Sequence, residues 1–186
     1  MTNEARLDRL DLLDRRILWI LQQHGRRTYA EIAAEVGLSA PSVHERVKKL
    51  EARKVIRGYR GQVDAPLMGY GVLAFVLVIQ DSHADWDALG RAFRAIPEVV
   101  ECHHVAGEED FVLKVRARDT LHLERVLRAV QADGQVDSTR TMVVLSSPFE
   151  DRGVPVAAED EAGTIRHDSP EREGQAKPLR RRVRTG

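Results

Sequence analysis

At 186 residues and 42% hydrophobic content the chain has enough apolar material for packed cores, which excludes a disordered protein, and its longest apolar run, Tyr70 to Ile79, is too short for a bilayer-spanning helix. The charged opening MTNEARLDRLDLLDRR lacks the apolar stretch of a signal peptide, and the single cysteine, Cys102, permits neither an internal disulfide nor a zinc-finger spacing, so a cytoplasmic protein is expected. A net charge of zero conceals segregation: residues 1–60 hold 13 Lys/Arg against 8 Asp/Glu, residues 61–150 hold 8 against 14 and residues 151–186 hold 8 against 7, so only the first part suits a polyanion.

From Leu10, the residues Leu10, Leu13, Ile17, Leu18, Ile20 and Leu21 recur at helical spacing, with Asp11, Asp14, Arg15 and Arg16 on the other face; this predicts a first helix ending at Gly25. Thr28 stands three residues before Glu31, a capping-box arrangement, and opens a second helix with Ile32, Ala33 and Val36 inward and Gly37 at its end. Ser39 caps a third helix, with Pro41 in its first turn and Val43, Val47 and Leu50 as its inner stripe. Three short helices around the tight Gly37-Leu38-Ser39 turn make a helix-turn-helix. With that stripe inward, Pro41, Ser42, His44, Glu45, Lys48 and Lys49 point toward a major groove, beside the cap Ser39. Ser42, His44 and Glu45 are short enough to address base edges, while Arg46, Lys48 and Lys49 suit phosphates. Thr28 and Tyr29 offer backbone N–H groups and a hydroxyl to a further phosphate, and Arg57 and Arg60 do likewise from a strand or wing predicted over Val55 to Val63.

This first domain spans 8–60, and a linker, 61–69, surrounds Asp64-Ala65-Pro66. In the next domain, 70–147, the first strand, Tyr70 to Ile79, is apolar on both faces and so needs helices on one side and a partner sheet on the other. Trp86, Leu89, Phe93 and Ile96 define a helix ended by Pro97, with Trp86 and Phe93 as core residues; Val99 to Val105 is a second strand, Gly107 to Asp110 a turn and Phe111 to Val115 a third strand. Asp119 or Thr120 caps a helix carrying Leu123, Val126, Leu127 and Val130, and Thr139 to Leu145 is the last strand. The order βαββαβ is the ferredoxin-like unit, so the fold class is α+β: a winged helix-turn-helix followed by a ferredoxin-like domain whose exposed sheet face suits dimerisation. Residues 148–186 lose apolar periodicity and gather Pro, Gly and charge, which predicts a disordered tail.

The run LDLLDRRILWILQQHGRRTYAEIAAEVGLSAPSVHERVKKLEARKVIRGY resembles the opening domain of the Lrp/AsnC, or feast/famine, transcription regulators, through Asp11 and Asp14, the Gly25-Arg26 step, the Ala33 to Ser39 turn and Val55-Ile56-Arg57-Gly58-Tyr59. ECHHVAGEEDFVLKVRARDT and STRTMVVL resemble that family's ligand-sensing domain, so that the resemblance covers roughly residues 8–147. It implies a DNA-binding regulator, a homodimer associating further into octamers or related assemblies, and an amino-acid effector near the turn Gly107, Glu108, Glu109 and Asp110, with hydroxyls from Thr139 or Thr141. Asp110 would pair with an α-ammonium group. Two departures stand out. Lys54 occupies a position where the family often has Gly ending a helix in a left-handed conformation, so either the cap differs or the lysine costs on the order of 1 kcal/mol. Glu109 stands where the family commonly has an aromatic residue.

Other chemistries find less support. Strand alternation places Cys102 and His104 on one face and His103 on the other, too few for a closed zinc site, and no oriented catalytic group is visible, so neither a metal, a cofactor nor an enzyme is expected. The alternatives are an architectural protein coating DNA with little sequence choice, aided by Lys177 to Arg184, and a small-molecule-binding α+β protein without DNA function; steep salt dependence on a short palindromic duplex excludes the second, and a marked loss of nonspecific affinity on removing residues 175–186 marks the first.

Overall fold

The computed structural model describes residues 10–150, apart from residue 133, together with residues 152–156. Beyond residue 156 the expected charged tail lies outside the described residues, as do residues 8 and 9. The described residues divide into two compact units, one of residues 10–59 with 153–156, the other of residues 60–152.

Three helices form the first unit: α1 (Leu12–Gln23), α2 (Tyr29–Val36) and α3 (Ala40–Ala52). Each begins where a short polar side chain accepts an otherwise unpaired N–H: Asp11 from Asp14, Thr28 from Glu31 and Ser39 from Ser42. Gly37 ends α2 in the left-handed conformation (φ 72°), which turns the chain directly into α3. Ile17, Ile20, Ile32, Ala33, Val43 and Val47 fill the core, with Leu21, Val36, Leu38, Ala40 and Ile56 packed around them. Asp14 departs from its expected place: it lies not on the polar face of α1 but buried beside the core stripe. The end of α3 keeps the left-handed geometry despite Lys54, whose φ is 58°. The Val55 N–H reaches the Leu50 carbonyl at 2.9 Å and the Lys54 N–H the Glu51 carbonyl at 2.9 Å, a Schellman closure.

The strand or wing expected over Val55 to Val63 is not formed: those residues are irregular and mostly exposed. Their β-forming side chains have no neighbouring strand to pair with, and strand propensity without a ladder of hydrogen bonds does not hold a strand.

Four strands and two helices make the second unit: β1 (Val72–Gln80), α4 (Trp86–Arg94), β2 (Val99–His104), β3 (Phe111–Ala117), α5 (Thr120–Val130) and β4 (Val136–Val143). The sheet order is β2-β3-β1-β4 and every pairing is antiparallel, the ferredoxin-like arrangement. Ala74, Val76 and Val78 of β1 and Phe111, Leu113, Val115 and Ala117 of β3 pack with Leu89 and Phe93 of α4 and Leu123, Val126 and Val130 of α5. Alternation turns Leu73, Phe75, Leu77 and Ile79 to the other face, where their cross-strand partners are Val112, Lys114, Arg116, Ser138, Arg140 and Met142. The apolar-on-both-faces pattern of β1 thus has its helix-covered side and its helix-free side. Trp86 is not the core residue expected from helical spacing: it sits in the first turn of α4, 53% exposed, and stacks on His104 with ring centroids 5.4 Å apart. Phe93, by contrast, is buried edge-on to Phe111.

Candidate nucleic-acid interface

With Val43, Val47 and Leu50 buried, the helical wheel leaves Pro41, Ser42, His44, Glu45, Lys48 and Lys49 exposed along one face of α3, as the spacing requires. At its start, the Ser39 and Ser42 hydroxyls lie 2.8 Å apart and hydrogen-bond each other, so the two act as a pair. His44 is not a free side chain either: its ring stacks on Tyr29, the first residue of α2, with centroids 5.1 Å apart and planes inclined by 24°. Among the described residues Lys48 and Lys49 make no ion pair, which leaves both ammonium groups available to a polyanion.

Two expected phosphate contacts are otherwise engaged. Arg46 is the first: its Nη1 donates to Asp11 Oδ2 at 2.6 Å and Asp14 Oδ1 at 2.7 Å, tying α3 to the start of α1. Partial burial works against ionisation of Asp11, yet the Asp14 N–H and the Arg46 guanidinium hold its carboxyl below the ordinary range. Arg46 therefore faces inward to two carboxylates rather than outward to a groove. Thr28 is the second, because both its N–H and its hydroxyl donate to Glu31 Oε2 at 2.7 Å, and a phosphate there would have to displace that carboxylate. Hydrogen bonds from Thr28 hold the Glu31 carboxyl below its usual range. Arg57 and Arg60 are exposed on irregular chain, not on a wing.

Residues that sequence reasoning missed cluster nearby. The Tyr59 hydroxyl donates to Glu51 Oε1 at 2.9 Å, and burial together with that bond pushes its pKa up to about 12. This contact holds the chain leaving α3 back against the helix. The Gly58-Tyr59 pair was visible in the sequence, but nothing local pointed from Tyr59 to Glu51.

In the second unit the turn between β2 and β3 is built mainly by its own residues. The Val105 N–H donates to the Asp110 carbonyl, the Asp110 N–H to the Val78 carbonyl, and the Gln80 N–H to Asp110 Oδ2 at 2.8 Å. Gly107 is exposed, has no positive φ and has open space where a Cβ would sit, so the turn itself does not require glycine there. Glu108 is exposed, while Glu109 forms an ion pair with Arg140 of β4, a residue the sequence reading did not select. Thr139 and Thr141 do not join this group. Their partners across β1 are Val78 and Val76, which places both on the helix-covered face, and Thr139 Oγ1 accepts from Gln131 Nε2 at 2.9 Å. Cys102 and His104 do share a face, opposite Leu113 and Phe111, and His103 takes the other, where it contacts Glu101.

Family comparisons match these two units in turn: an AsnC-type helix-turn-helix domain over residues 10–51 and an Lrp/AsnC ligand-binding domain over residues 73–154. The chain belongs to the Lrp/AsnC family. Among curated relatives of this Lrp/AsnC chain, the HTH-type transcriptional regulator Rv2324 of Mycobacterium tuberculosis is 39% identical over 141 residues, covering 76% of this chain and 95% of the relative. Regulatory protein AsnC of Escherichia coli is 33% identical over 141 residues, 75% of this chain and 93% of its own. Its kinship extends to structure: E. coli AsnC superposes with a TM-score of 0.72 at 32% identity, covering 78% of this chain and 97% of AsnC. A feast or famine regulatory protein of M. tuberculosis solved with L-methionine gives 0.73 at 33% identity, over 77% of this chain and 97% of that one. Like these relatives, the Lrp/AsnC protein described here is a DNA-binding transcriptional regulator of the helix-turn-helix type.

Proposed function

We propose that this regulator reads duplex DNA with the exposed face of α3, dimerises through the helix-free face of its sheet and is modulated by an amino acid held near the β2–β3 turn. The observation that carries the first part is the composition of the α3 face: two lysines without an ion pair among the described residues, set beside Ser42, His44 and Glu45, on a helix anchored by a fully buried stripe. Lys48 and Lys49 supply sequence-independent phosphate contacts, while Ser42, His44 and Glu45 address base edges. Arg46 and Thr28 are left out of this set because their polar atoms serve the fold. Lys48→Ala with Lys49→Ala is expected to weaken binding to all duplexes and make the salt dependence shallower by about 2 in log K against log salt. Unchanged affinity and slope would exclude this face. Selection of bound duplexes from a random pool tests sequence choice; recovery of no preferred sequence would favour the architectural reading.

One α3 helix spans only a few base pairs, so two copies on half-sites about one helical turn apart supply useful specificity. Phe75, Leu77, Ile79 and Met142 on the helix-free face support a sheet-to-sheet dimer, since association removes them from water. The amino-acid reading draws on relatives solved with L-methionine, from M. tuberculosis and Neisseria meningitidis. It fits the Glu109–Arg140 ion pair beside the turn that holds Asp110, where an amino acid would exchange its α-carboxylate for Glu109 on the guanidinium and free the Glu109 carboxylate for its α-ammonium. Calorimetry against the twenty amino acids, repeated with Asp110→Ala and Arg140→Ala, tests it: heat with one of them, lost in both variants, is expected, and no heat with any would remove the effector from the account.

A further inference from the structure

We infer that Tyr29 and His44 form one reading element, in which Tyr29 is a positioning residue that holds the His44 imidazole for a single base pair of each half-site. The inference rests on the proposal that the exposed face of α3 enters the groove, and it adds a specificity determinant from a different helix.

Both members of the pair stand on fixed backbone. Tyr29 follows Thr28, whose reciprocal hydrogen bonds with Glu31 set the first turn of α2. His44 follows Val43 and precedes Val47 by three residues, and both valines are fully buried in the helix-turn-helix core. The rings therefore meet because two anchored helices bring them together, at 5.1 Å and near-parallel. An exposed histidine unsupported on a helix samples several rotamers and loses that freedom when it binds. Stacking removes much of this loss in advance and also fixes direction: one face of the imidazole lies against the phenol ring, while its nitrogen-bearing edge, on an exposed residue, makes no hydrogen bond among the described residues. A neutral imidazole presents one donor and one acceptor on that edge, the groups needed to distinguish base pairs in a major groove. Tyr29 contributes its face to His44, so its role does not require its hydroxyl on a phosphate.

Single-base-pair variants of a selected duplex are competed against the original for the native protein and for His44→Ala, Tyr29→Ala, Tyr29→Phe, Tyr29→Leu and the Tyr29→Ala/His44→Ala double variant. His44→Ala is expected to flatten discrimination at one base pair by about tenfold. Tyr29→Ala and Tyr29→Leu should flatten the same position, with the double variant no flatter than His44→Ala alone; Tyr29→Phe, which keeps the ring, should match the native protein. Tyr29→Leu retains apolar bulk, so equal melting with lost discrimination separates positioning from folding. The inference is overturned if Tyr29→Leu preserves discrimination at the His44 position, if His44→Ala changes no position, or if Tyr29→Phe weakens all duplexes alike with a shallower salt dependence, which would make the hydroxyl a phosphate donor. The Lys48/Lys49 double variant reports separately on the groove-facing surface: loss of affinity there with no Tyr29 effect sinks the coupling alone.

Discussion

Replacing Arg46 with methionine distinguishes an internal tie from a DNA contact. The substitution keeps an unbranched apolar stem and removes the guanidinium that sits 2.6 Å from Asp11 and 2.7 Å from Asp14. Asp14 is the partner that suffers, with its side chain only 13% exposed against 53% for Asp11. Removing one member of a fully buried pair costs about 3–5 kcal/mol, whereas exposed pairs contribute about 0–1 kcal/mol. With Arg46 itself 29% exposed, solvent screens part of the interaction, and a loss of about 2 kcal/mol is expected. Urea unfolding at a single protein concentration measures it, the concentration being fixed because association shifts apparent stability. Asp14→Asn added to Arg46→Met should recover part of the loss, since the stranded charge is then gone. On DNA, the folded variant should keep the native slope of log K against log salt. Undiminished stability together with a slope shallower by about 0.9 would refute the reasoning and return Arg46 to a phosphate.

Lys54→Gly should stabilise the first unit by about 1 kcal/mol, because the left-handed conformation at φ 58° strains a side-chain-bearing residue, and Lys54→Ala should not; thermal melts compare the two. Phe75→Glu is expected to yield a folded monomer, because a carboxylate on the helix-free face stays hydrated in the single chain but would be stripped of water within a sheet-to-sheet contact; sedimentation velocity reads the outcome. Acid should loosen the first unit through Asp11. Its folded pKa is depressed, so its stabilisation is complete above the unfolded value near ~4 and is lost as pH falls below that through the folded value. Asp11→Asn should flatten the unfolding midpoint over that acid range and leave its trend between pH 5 and 7 unchanged.

Local chemistry made much of this molecule legible. Thr28 with Glu31, Ser39, Gly37 and the Val43-Val47-Leu50 stripe each act within one or two helical turns, so their spacing alone specified where helices start, stop and face. The continuous apolar run of β1 likewise announced a strand with two apolar faces, and the order of elements announced the sheet. The turn at Gly107 to Asp110 was legible as a turn, because it closes a hairpin between adjacent strands.

What failed were inferences about single side chains and one isolated segment that needed a particular partner distant in sequence. Asp14 looked like solvent-facing charge until Arg46, 32 residues away, was brought to it, and that same contact removed Arg46 from the candidate interface. Val55 to Val63 had strand-forming residues but no strand beside it. Helical spacing assigned Trp86 to the core, yet its place in the first turn of α4 leaves it stacked on His104 at the domain surface. Thr139 and Arg140, neighbours in sequence, face opposite sides of β4, so only the register against β1 decided which of them meets the turn. Apart from the segment Val55 to Val63, the sequence by itself determined which segments become helices and strands and which of their faces are apolar, since those depend largely on contacts a few residues apart. Tertiary structure alone decided which charges remain free for DNA or ligand, because a charge is available only when no distant part of the chain has already claimed it.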